Sequence, residues 1–303
     1  MQNLLVRFSI WLSLFSQTQG SRIKILVMSK SSKRFRQLKT DKKQIVILGN
    51  GPSLKSTIQE NENFFEGKGL FCVNHFATTE FYTKLKPAYY LITTPELFSD
   101  SVFDEFIEAS NKLFNTIADK TTWKLKLLVK YDAKQNERWR KILEKNKNIE
   151  IIYLNLTPVE GFKKFMFRQF NKANGMPRPH NIMIPCLFTA IHLAPEEIFI
   201  IGAEHTWLND LHVDENNDTY FNFQHFYDAN KTATKFCYFD EQSHYKLHEV
   251  LRSFSIVFSA YHTLNDYAKY KNINIFNCTP VSHIDAFKRC KINDLLSIQT
   301  HTV

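Results

Sequence analysis

Apolar, β-rich runs alternate with stretches of helical periodicity from residue 44 onward. The predicted strands are 44–48, 70–73, 88–93, 125–130, 150–154, 197–201 and 273–277, and the predicted helices are 100–117, 134–146, 159–170, 184–194 and 247–270. This alternation is typical of a parallel sheet with helices on both faces. We therefore predict an α/β fold with a Rossmann-like, doubly wound parallel sheet. In such sheets, ligands bind at the carboxyl ends of the strands.

The first predicted strand runs into a glycine-rich turn, Gly49-Asn-Gly-Pro-Ser53. Gly49 and Gly51 allow backbone angles and close approaches that a Cβ atom would prevent. The amides at the start of the following helix, with Ser53 near its N-cap, can bind an anion. The turn therefore suggests a nucleotide phosphate site. A plain strand-to-helix turn with no ligand is the alternative reading of the same pattern.

Small and amide-bearing residues also follow the other predicted strands. Asn74 follows the second strand and Thr94 the third, while Gly202 and Glu204 follow the strand at 197–201. No pair of aspartates separated by one residue stands at these positions. Each Asn or Thr taken singly is commonly a turn former. Together they indicate a neutral nucleotide cleft that binds through hydrogen bonds.

Two sequence patterns suggest metal ligands, and we expect neither to bind metal. Within residues 209–218, Asp214, Asn216 and Asp218 begin like a calcium loop, but Thr219 stands at the glycine position and His225 at the position of the closing glutamate. His244 and His248 have the spacing of two ligands on one helix face, but no third ligand follows at a suitable distance. We expect no metal and no cofactor. His248, near the start of the long helix, is the candidate general base, because an imidazole ordinarily titrates near neutral pH.

The positive charge of the chain is concentrated at one end. The 303 residues carry a formal net charge of +9, and residues 1–43 hold ten Lys or Arg against one Asp, so the remaining 260 residues sum to zero. This distribution favours an anionic membrane surface or another acidic partner for residues 1–43, and it gives no indication of a nucleic-acid site in the rest of the chain. Residues 4–15 are apolar but too few to span a bilayer.

We predict two parts from these patterns. Residues 1–43 form a leader that either contacts a membrane surface or lies outside the fold, since Met28 is an alternative start. Residues 44–303 form one domain with a lid at about 205–245. Five widely spaced cysteines without a CxxC pair favour a cytoplasmic protein, with peripheral membrane contact through the leader as an open alternative. Aromatic residues within 219–239 would suit a homo-oligomer contact.

Several segments, in this order, resemble the bacterial sialyltransferases of glycosyltransferase family 42. Gly49-Asn-Gly-Pro-Ser-Leu-Lys55 is similar to the first nucleotide loop of the family, Cys72-Val-Asn-His-Phe76 to the second, and Thr94-Pro-Glu-Leu-Phe98 to the third, in which the family has Asn where Thr94 stands. Gly202-Ala-Glu204 resembles the Gly-Ile-Asp segment of the same family. Ser243-His-Tyr-Lys-Leu-His248 is similar to a segment whose last His is the catalytic base. The resemblance covers residues 44–290 and is poor at 100–175.

The resemblance implies a GT-A-like nucleotide-binding domain and a metal-independent, inverting glycosyltransferase. Such an enzyme moves a sialic-acid-like or other CMP-activated sugar onto a glycan acceptor in bacterial surface polysaccharide synthesis. His248 is implied as the catalytic base. The implied donor-binding residues are Asn50, Gly51, Ser53, Asn74, Thr94, Arg178, Asn181, Gly202 and Glu204. The tyrosines that assist the family's donor phosphate have no clear counterpart after Gly202, and Tyr220 and Tyr227 are candidate substitutes.

Two other functions remain open from the sequence. A pterin pyrophosphokinase-like enzyme would need magnesium and carboxylates at the strand ends, where Glu96, Glu204 and Asp210 are the candidates. A non-catalytic nucleotide-binding subunit of a polysaccharide assembly complex would need the nucleotide cleft without the catalytic base. Fold class alone does not separate these functions.

Overall fold

The structure is a computed structural model that describes residues 2–30, 32–223, 226–227, 232–235 and 245–300. Its α-helices are α1 (Gln2–Met28), α2 (Lys33–Arg36), α3 (Leu54–Glu60), α4 (Phe81–Leu85), α5 (Asp104–Lys120), α6 (Arg138–Leu143), α7 (Lys163–Asn171), α8 (Met183–Leu193), α9 (Leu247–Tyr270) and α10 (Ile292–Thr300). Its strands are β1 (Gln44–Leu48), β2 (Gly69–Val73), β3 (Tyr89–Ile92), β4 (Leu125–Lys130), β5 (Ile149–Leu154), β6 (Glu197–Ile201), β7 (His212–Val213), β8 (Thr219–Phe223), β9 (Thr232–Lys235), β10 (Asn274–Asn277) and β11 (Lys288–Arg289). The fold class is α/β with a mostly parallel central sheet of eight strands, as predicted.

The chain divides into two compact units. The first unit consists of Met1–Asp41 and Asn74–Ala194, and the second of Lys42–Val73 and Pro195–Val303. The second unit contributes five strands to the central sheet, in the order β11-β10-β6-β1-β2, and all are parallel. The first unit contributes β3, β4 and β5, also parallel and in that order. The predicted division into a leader and one domain at residue 43 stays a prediction.

The seven predicted strands are confirmed to within one residue at either end. Strands β1, β4 and β6 match residue for residue. Most residues of these strands are apolar and buried, and apolar runs are the strongest strand signal in a parallel sheet. Helix α9 also begins and ends where predicted.

Three predicted helices begin four residues too early. Helices α5, α6 and α7 start at residues 104, 138 and 163 instead of 100, 134 and 159. Before α6, residues Tyr131–Gln135 form a 3₁₀ helix. Before α7, Gly161 has a φ angle of 116°, which an α-helix cannot contain.

The strand order of the second unit reverses at β1. The chain passes from β1 to β2 on one side, whereas β6, β10 and β11 follow one another on the other side. In parallel sheets a crevice forms at the carboxyl ends of the strands where the order reverses, and ligands bind there. The segments that follow β1 and β6 therefore occupy the favoured binding position of this unit.

An antiparallel sheet of β7, β8 and β9 lies between β6 and α9 in the chain, within the predicted lid at 205–245. The described part of this insertion reaches the turn after β1, because the backbone N–H of Phe226 donates to the carbonyl oxygen of Asn50 at 3.0 Å. Residues 224–225, 228–231 and 236–244 lie outside the described residues. Ser243 and His244 of the family-like segment are among them.

Helix α1 contacts the loop before α7 within the first unit. The hydroxyl of Ser21 donates to the carbonyl oxygen of Glu160 at 2.9 Å and accepts from its N–H at 2.8 Å. The hydroxyl of Thr18 accepts from the N–H of Phe162 at 3.0 Å. A Cβ atom on Gly161 would stand 2.1 Å from the Thr18 oxygen, so only glycine permits this approach. Among the described residues, no helix has both the length and the apolar character needed to cross a bilayer.

The α1 contact predicts opposite effects of two glycine substitutions. Gly161→Ala should lower the free energy of unfolding by about 1–3 kcal/mol, because it adds a Cβ against α1 at a positive φ angle. Gly20→Ala is the matched control on α1, where a Cβ meets nothing within 4 Å. It should raise the stability by up to about 1 kcal/mol through helix propensity. Urea denaturation measures the free energy of unfolding of both variants. Equal values for the two variants would contradict the close contact between Gly161 and α1.

Candidate functional site

The turns after β1 and β6 are joined by backbone hydrogen bonds. The N–H of Gly49 donates to Ile201 and the N–H of Gly51 donates to Gly202, both at 2.8 Å. A Cβ on Gly49 would stand 2.3 Å from the carbonyl oxygen of Gly202. Gly202 itself has a φ angle of 67°, and its own Cβ would stand 2.9 Å from that of Leu54. Glycine is therefore required on both sides of this contact.

The carboxylate of Glu204 lies in the turn that the sequence assigns to a phosphate. The N–H of Ser53 donates to Glu204 Oε1 at 2.8 Å. A Cβ on Gly51 would stand 1.6 Å from Glu204 Oε2, so the absence of that Cβ makes room for the carboxylate. One of the amides predicted to bind phosphate thus binds an internal anion, and the charge of Glu204 opposes a phosphate at the same place.

Three polar atoms of this turn are buried without a hydrogen-bond partner among the described residues. They are Asn50 Oδ1, Ser53 Oγ and Glu204 Oε2. The amide of Asn50 is oriented by its Nδ2, which donates to the carbonyl oxygen of Val73 at 3.1 Å and leaves Oδ1 as an acceptor. An unpaired buried acceptor costs about 1–3 kcal/mol. The site therefore suits a ligand that brings N–H or O–H donors, such as ribose hydroxyls or an exocyclic amine.

The loop after β10 fixes the backbone around Glu204. The N–H of Ala203 donates to Thr279 Oγ1 at 3.1 Å, and Ser282 Oγ donates to the carbonyl oxygen of Ala203 at 2.7 Å. The N–H of His283 donates to the carbonyl oxygen of Glu204 at 2.8 Å. Our sequence reasoning missed these supporting residues. The signal that could have found them is the group of polar side chains directly after the last predicted strand.

His205 follows Glu204 and is buried with its ring held in place. Its φ angle is 52°, its Nε2 lies 2.7 Å from the hydroxyl of Tyr261, and its ring packs against Trp207 with 4.2 Å between ring centroids. Burial, with a further contribution from His283, lowers the pKa of His205 to about 3. A group with this pKa is a weak base at neutral pH, so His205 is a poor candidate for general-base catalysis.

His248 is the second residue of α9 and its side chain is exposed. It lines a pocket of about 390 Å³ in the second unit, together with Val213, Asn217, Thr219, Lys246, Leu247 and Leu251. Thr219 Oγ1 is buried without a hydrogen-bond partner among the described residues. Lys246 Nζ donates to the carbonyl oxygen of Asn217 at 3.1 Å. The pocket is lined by an exposed imidazole and by both polar and apolar side chains.

The described part of the insertion links this pocket to the turn after β1. Thr219 at the start of β8 lines the His248 pocket, and Phe226, a few residues later, donates its N–H to Asn50. Tyr220 and Tyr227 lie in the same segment, and the ring of Tyr220 stacks on His212. Asn50 and His248 therefore belong to the same unit. Asn50 contacts this short stretch of chain, and His248 shares a pocket with it.

Asn74 and Thr94 contact each other in the first unit. Thr94 Oγ1 donates to Asn74 Oδ1 at 3.2 Å. Asn74 has a φ angle of 47°, a conformation that asparagine tolerates better than most residues, and the hydroxyl of Tyr90 donates to its carbonyl oxygen. The structure thus brings these two predicted residues together. Their role in binding a nucleotide stays a prediction.

Arg178 and Asn181 of the first unit have structural contacts that the sequence did not suggest. Arg178 donates two hydrogen bonds to Glu160, at 3.2 Å to Oε1 and 2.6 Å to Oε2, and the hydrogen bond to Glu160 raises the pKa of Arg178. Lys24 of α1 lies 3.3 Å from the same carboxylate. Asn181 Oδ1 accepts from the N–H of Ile184 in the first turn of α8. Donor binding by Arg178 and Asn181 stays a prediction.

Within the described part of the chain, no three His, Cys, Asp or Glu side chains are close enough to share a metal ion. Of the carboxylates that a magnesium-dependent enzyme would need, Glu204 is hydrogen-bonded to the Ser53 amide. The open oxygen of that carboxylate is Oε2, which is buried.

No family model matches the sequence, and no curated protein matches it. Among solved structures, the MAf glycosyltransferase from Magnetospirillum magneticum AMB-1 is similar to this chain, with a TM-score of 0.46 and 10% sequence identity. The similarity covers 95% of this chain and 41% of the other chain, so this chain spans less than half the length of that protein. A similarity at this level carries no argument about function.

The buried His205 predicts a pH dependence of stability. The unfolded chain binds a proton at this histidine near pH 6.5, whereas the folded chain does so near pH 3. Folding therefore loses stability as the pH falls below 6.5, by about 2 kcal/mol at pH 5. His205→Gln removes this contribution, so the stability of the wild type relative to the variant should fall by that amount between pH 7.5 and pH 5. Urea denaturation measures the free energies of unfolding. If the difference between wild type and His205→Gln is the same at both pH values, His205 is not buried in its neutral form.

Proposed function

We propose that this chain is a glycosyltransferase that uses a nucleotide-activated sugar, and specifically a CMP-activated, sialic-acid-like sugar that it transfers to a glycan acceptor with inversion and without a metal. The resemblance of the Gly49–Lys55 and Ser243–His248 segments to family 42 sialyltransferases supports the donor class. That family also suggests a place in bacterial surface polysaccharide synthesis.

One structural observation carries the proposal. Two buried acceptor atoms, Asn50 Oδ1 in the turn after β1 and Glu204 Oε2 from the turn after β6, have no donor among the described residues. They lie at the strand-order reversal, where ligands of parallel sheets bind. A nucleoside supplies two vicinal ribose hydroxyls and, in cytidine, an exocyclic amine. We assign Glu204 to the ribose and Asn50 to a neighbouring hydroxyl or amine donor. Gly51 and Gly202 keep the backbone close enough for this contact.

This assignment differs from the phosphate site that the sequence suggests. Because Glu204 accepts from the Ser53 amide, the nucleoside suits this turn better than the phosphate. The donor phosphate then lies nearer the insertion, where Tyr220 and Tyr227 are candidate hydrogen-bond donors. Asn74, Thr94, Arg178 and Asn181 remain predicted donor contacts from the first unit.

His248 acts as general base in the proposed reaction. Its imidazole accepts the proton of an acceptor hydroxyl, and the hydroxyl oxygen then forms a bond to the anomeric carbon of the donor. The bond from that carbon to the phosphate oxygen breaks, and CMP leaves with the electron pair. The exposed ring of His248 and the volume of its pocket suit a glycan acceptor better than the buried ring of His205 does.

The ribose assignment predicts a dependence on the sugar hydroxyls. Wild-type protein should bind CMP about 10- to 100-fold more tightly than 2′,3′-dideoxy-CMP, because a hydrogen bond to a charged acceptor is worth about 1.5–3 kcal/mol. In Glu204→Gln this ratio should fall to about fivefold, the value of a neutral hydrogen bond. Glu197→Gln, at the opposite end of β6, is the matched control and should keep the wild-type ratio. Calorimetric titration measures all six affinities, and equal ratios in all three proteins would remove Glu204 from the ribose site.

The general-base assignment predicts a loss of turnover without a loss of donor binding. His248→Ala should lower CMP release from CMP-activated sialic acid, in the presence of mixed oligosaccharide acceptors, by about 100-fold or more. CMP affinity should stay at the wild-type value. His262→Ala is the matched control, since His262 lies on the same helix with its side chain 57% exposed. Full activity in His248→Ala would exclude His248 as the base.

The same assay separates the two alternative functions. A wild-type protein that binds CMP but neither releases it from the donor nor transfers the sugar would favour the non-catalytic subunit. Phosphoryl transfer that a chelator abolishes would favour the magnesium-dependent enzyme, because that chemistry needs the metal to neutralise charge.

A further inference from the structure

Helix α1 presents a large apolar surface to solvent. Leu4, Phe8, Leu12 and Phe15 are spaced by four, four and three residues and lie on one side of the helix, with 43% to 72% of each side chain exposed. The exposed large apolar residues of α1 are Leu4, Leu5, Val6, Phe8, Ile10, Trp11, Leu12, Phe15, Ile23, Leu26, Val27 and Met28. Exposed apolar surface of this extent is typical of an interaction site.

The other side of α1 is fixed to the first unit. Thr18 and Ser21 are buried against Glu160 and Phe162, and a Cβ on Gly161 would collide with Thr18. Lys24 adds an ion pair to Glu160 at 3.3 Å. The helix therefore cannot rotate to bury its apolar side chains without breaking these contacts. The side of α1 that carries Leu4, Phe8, Leu12 and Phe15 is therefore held in one orientation.

Exposed basic residues continue from the end of α1. Lys30, Lys33, Arg34, Arg36 and Lys39 are all exposed. Residues 1–43 carry a net charge of +9, whereas the remaining 260 residues sum to zero. The apolar face and the positive charge thus occur together in one short part of the chain.

Independently of the proposed function, we propose that α1 lies flat on a membrane that contains anionic lipids. Its apolar side chains enter the boundary between headgroups and acyl chains, and the basic residues at 30–39 contact the lipid phosphates. An interfacial helix of this kind needs an apolar face next to basic residues and does not need to cross the bilayer. Charge decides against a second copy of the chain as the occupant, because two such segments would bring like charges together.

Vesicle co-sedimentation tests this surface with a closely matched control. The test variant is Phe8→Glu/Phe15→Glu, which changes side chains that are 58% and 43% exposed. The control is Phe103→Glu/Phe106→Glu, which changes side chains of the same unit that are 61% and 45% exposed. Both are compared with wild-type protein on phosphatidylcholine vesicles with and without 30% phosphatidylglycerol. Circular dichroism and thermal unfolding establish that each variant is folded.

Wild-type protein and the control should bind the anionic vesicles, and the test variant should bind them at least about tenfold more weakly. Raising the salt concentration from about 0.1 to 0.5 M should also weaken binding of the wild type, because the lipid charge is screened. Absence of wild-type binding to anionic vesicles would overturn the proposal, as would equal losses in both variants. A salt-resistant dimer in analytical ultracentrifugation that dissociates in the test variant would instead assign the surface to a second copy.

Discussion

The candidate site depends on the close contact between the turns that follow β1 and β6. The backbone hydrogen bonds from Gly49 and Gly51 bring the two turns together, and the hydrogen bond from the Ser53 amide to Glu204 then places a carboxylate inside the first turn. None of this is sterically possible with a Cβ on Gly49 or Gly51. The loop after β10 holds the backbone of Ala203 and Glu204 from the other side. The position of one carboxylate is thus determined by three segments that are far apart in the sequence.

The carboxylate of Glu204 changes which ligand the glycine-rich turn after β1 can bind. A glycine-rich turn between a strand and a helix ordinarily suggests that the helix amides bind phosphate. Here α3 is seven residues long and its leading amide already has an anionic partner. The remaining polar atoms of the turn include the acceptors Asn50 Oδ1 and Glu204 Oε2. A ligand that donates hydrogen bonds, such as the sugar and base of a nucleoside, fits this arrangement better than a phosphate does.

The sequence predicted the strands well because burial leaves a clear signal: β1 and β6 are short, almost uninterrupted apolar runs, and α9 keeps its periodicity over its whole length. The pairing of side chains was not predictable in the same way. Ser53 and Glu204 are separated by 151 positions. A glutamate after a strand gives the same sequence pattern whether its carboxylate binds a ligand or a backbone amide. Arg178 was predicted as a ligand contact, but its two side-chain hydrogen bonds go to Glu160. Glu160 in turn contacts Ser21 and Lys24 of α1. Periodicity carries no information about such partners.

The proposed function requires that the turn after β1 binds the nucleoside of a CMP-activated donor. A thermal-shift comparison of CMP, UMP, UDP, GDP and ATP, each with and without magnesium, tests it most directly, since a ligand that binds the folded state raises its stability by mass action. CMP should raise the melting temperature by about 5 °C at a hundredfold excess over its dissociation constant, with no need for magnesium, and the other nucleotides should raise it less. Stabilisation by a purine nucleotide that requires magnesium, or by none of the five, would contradict it.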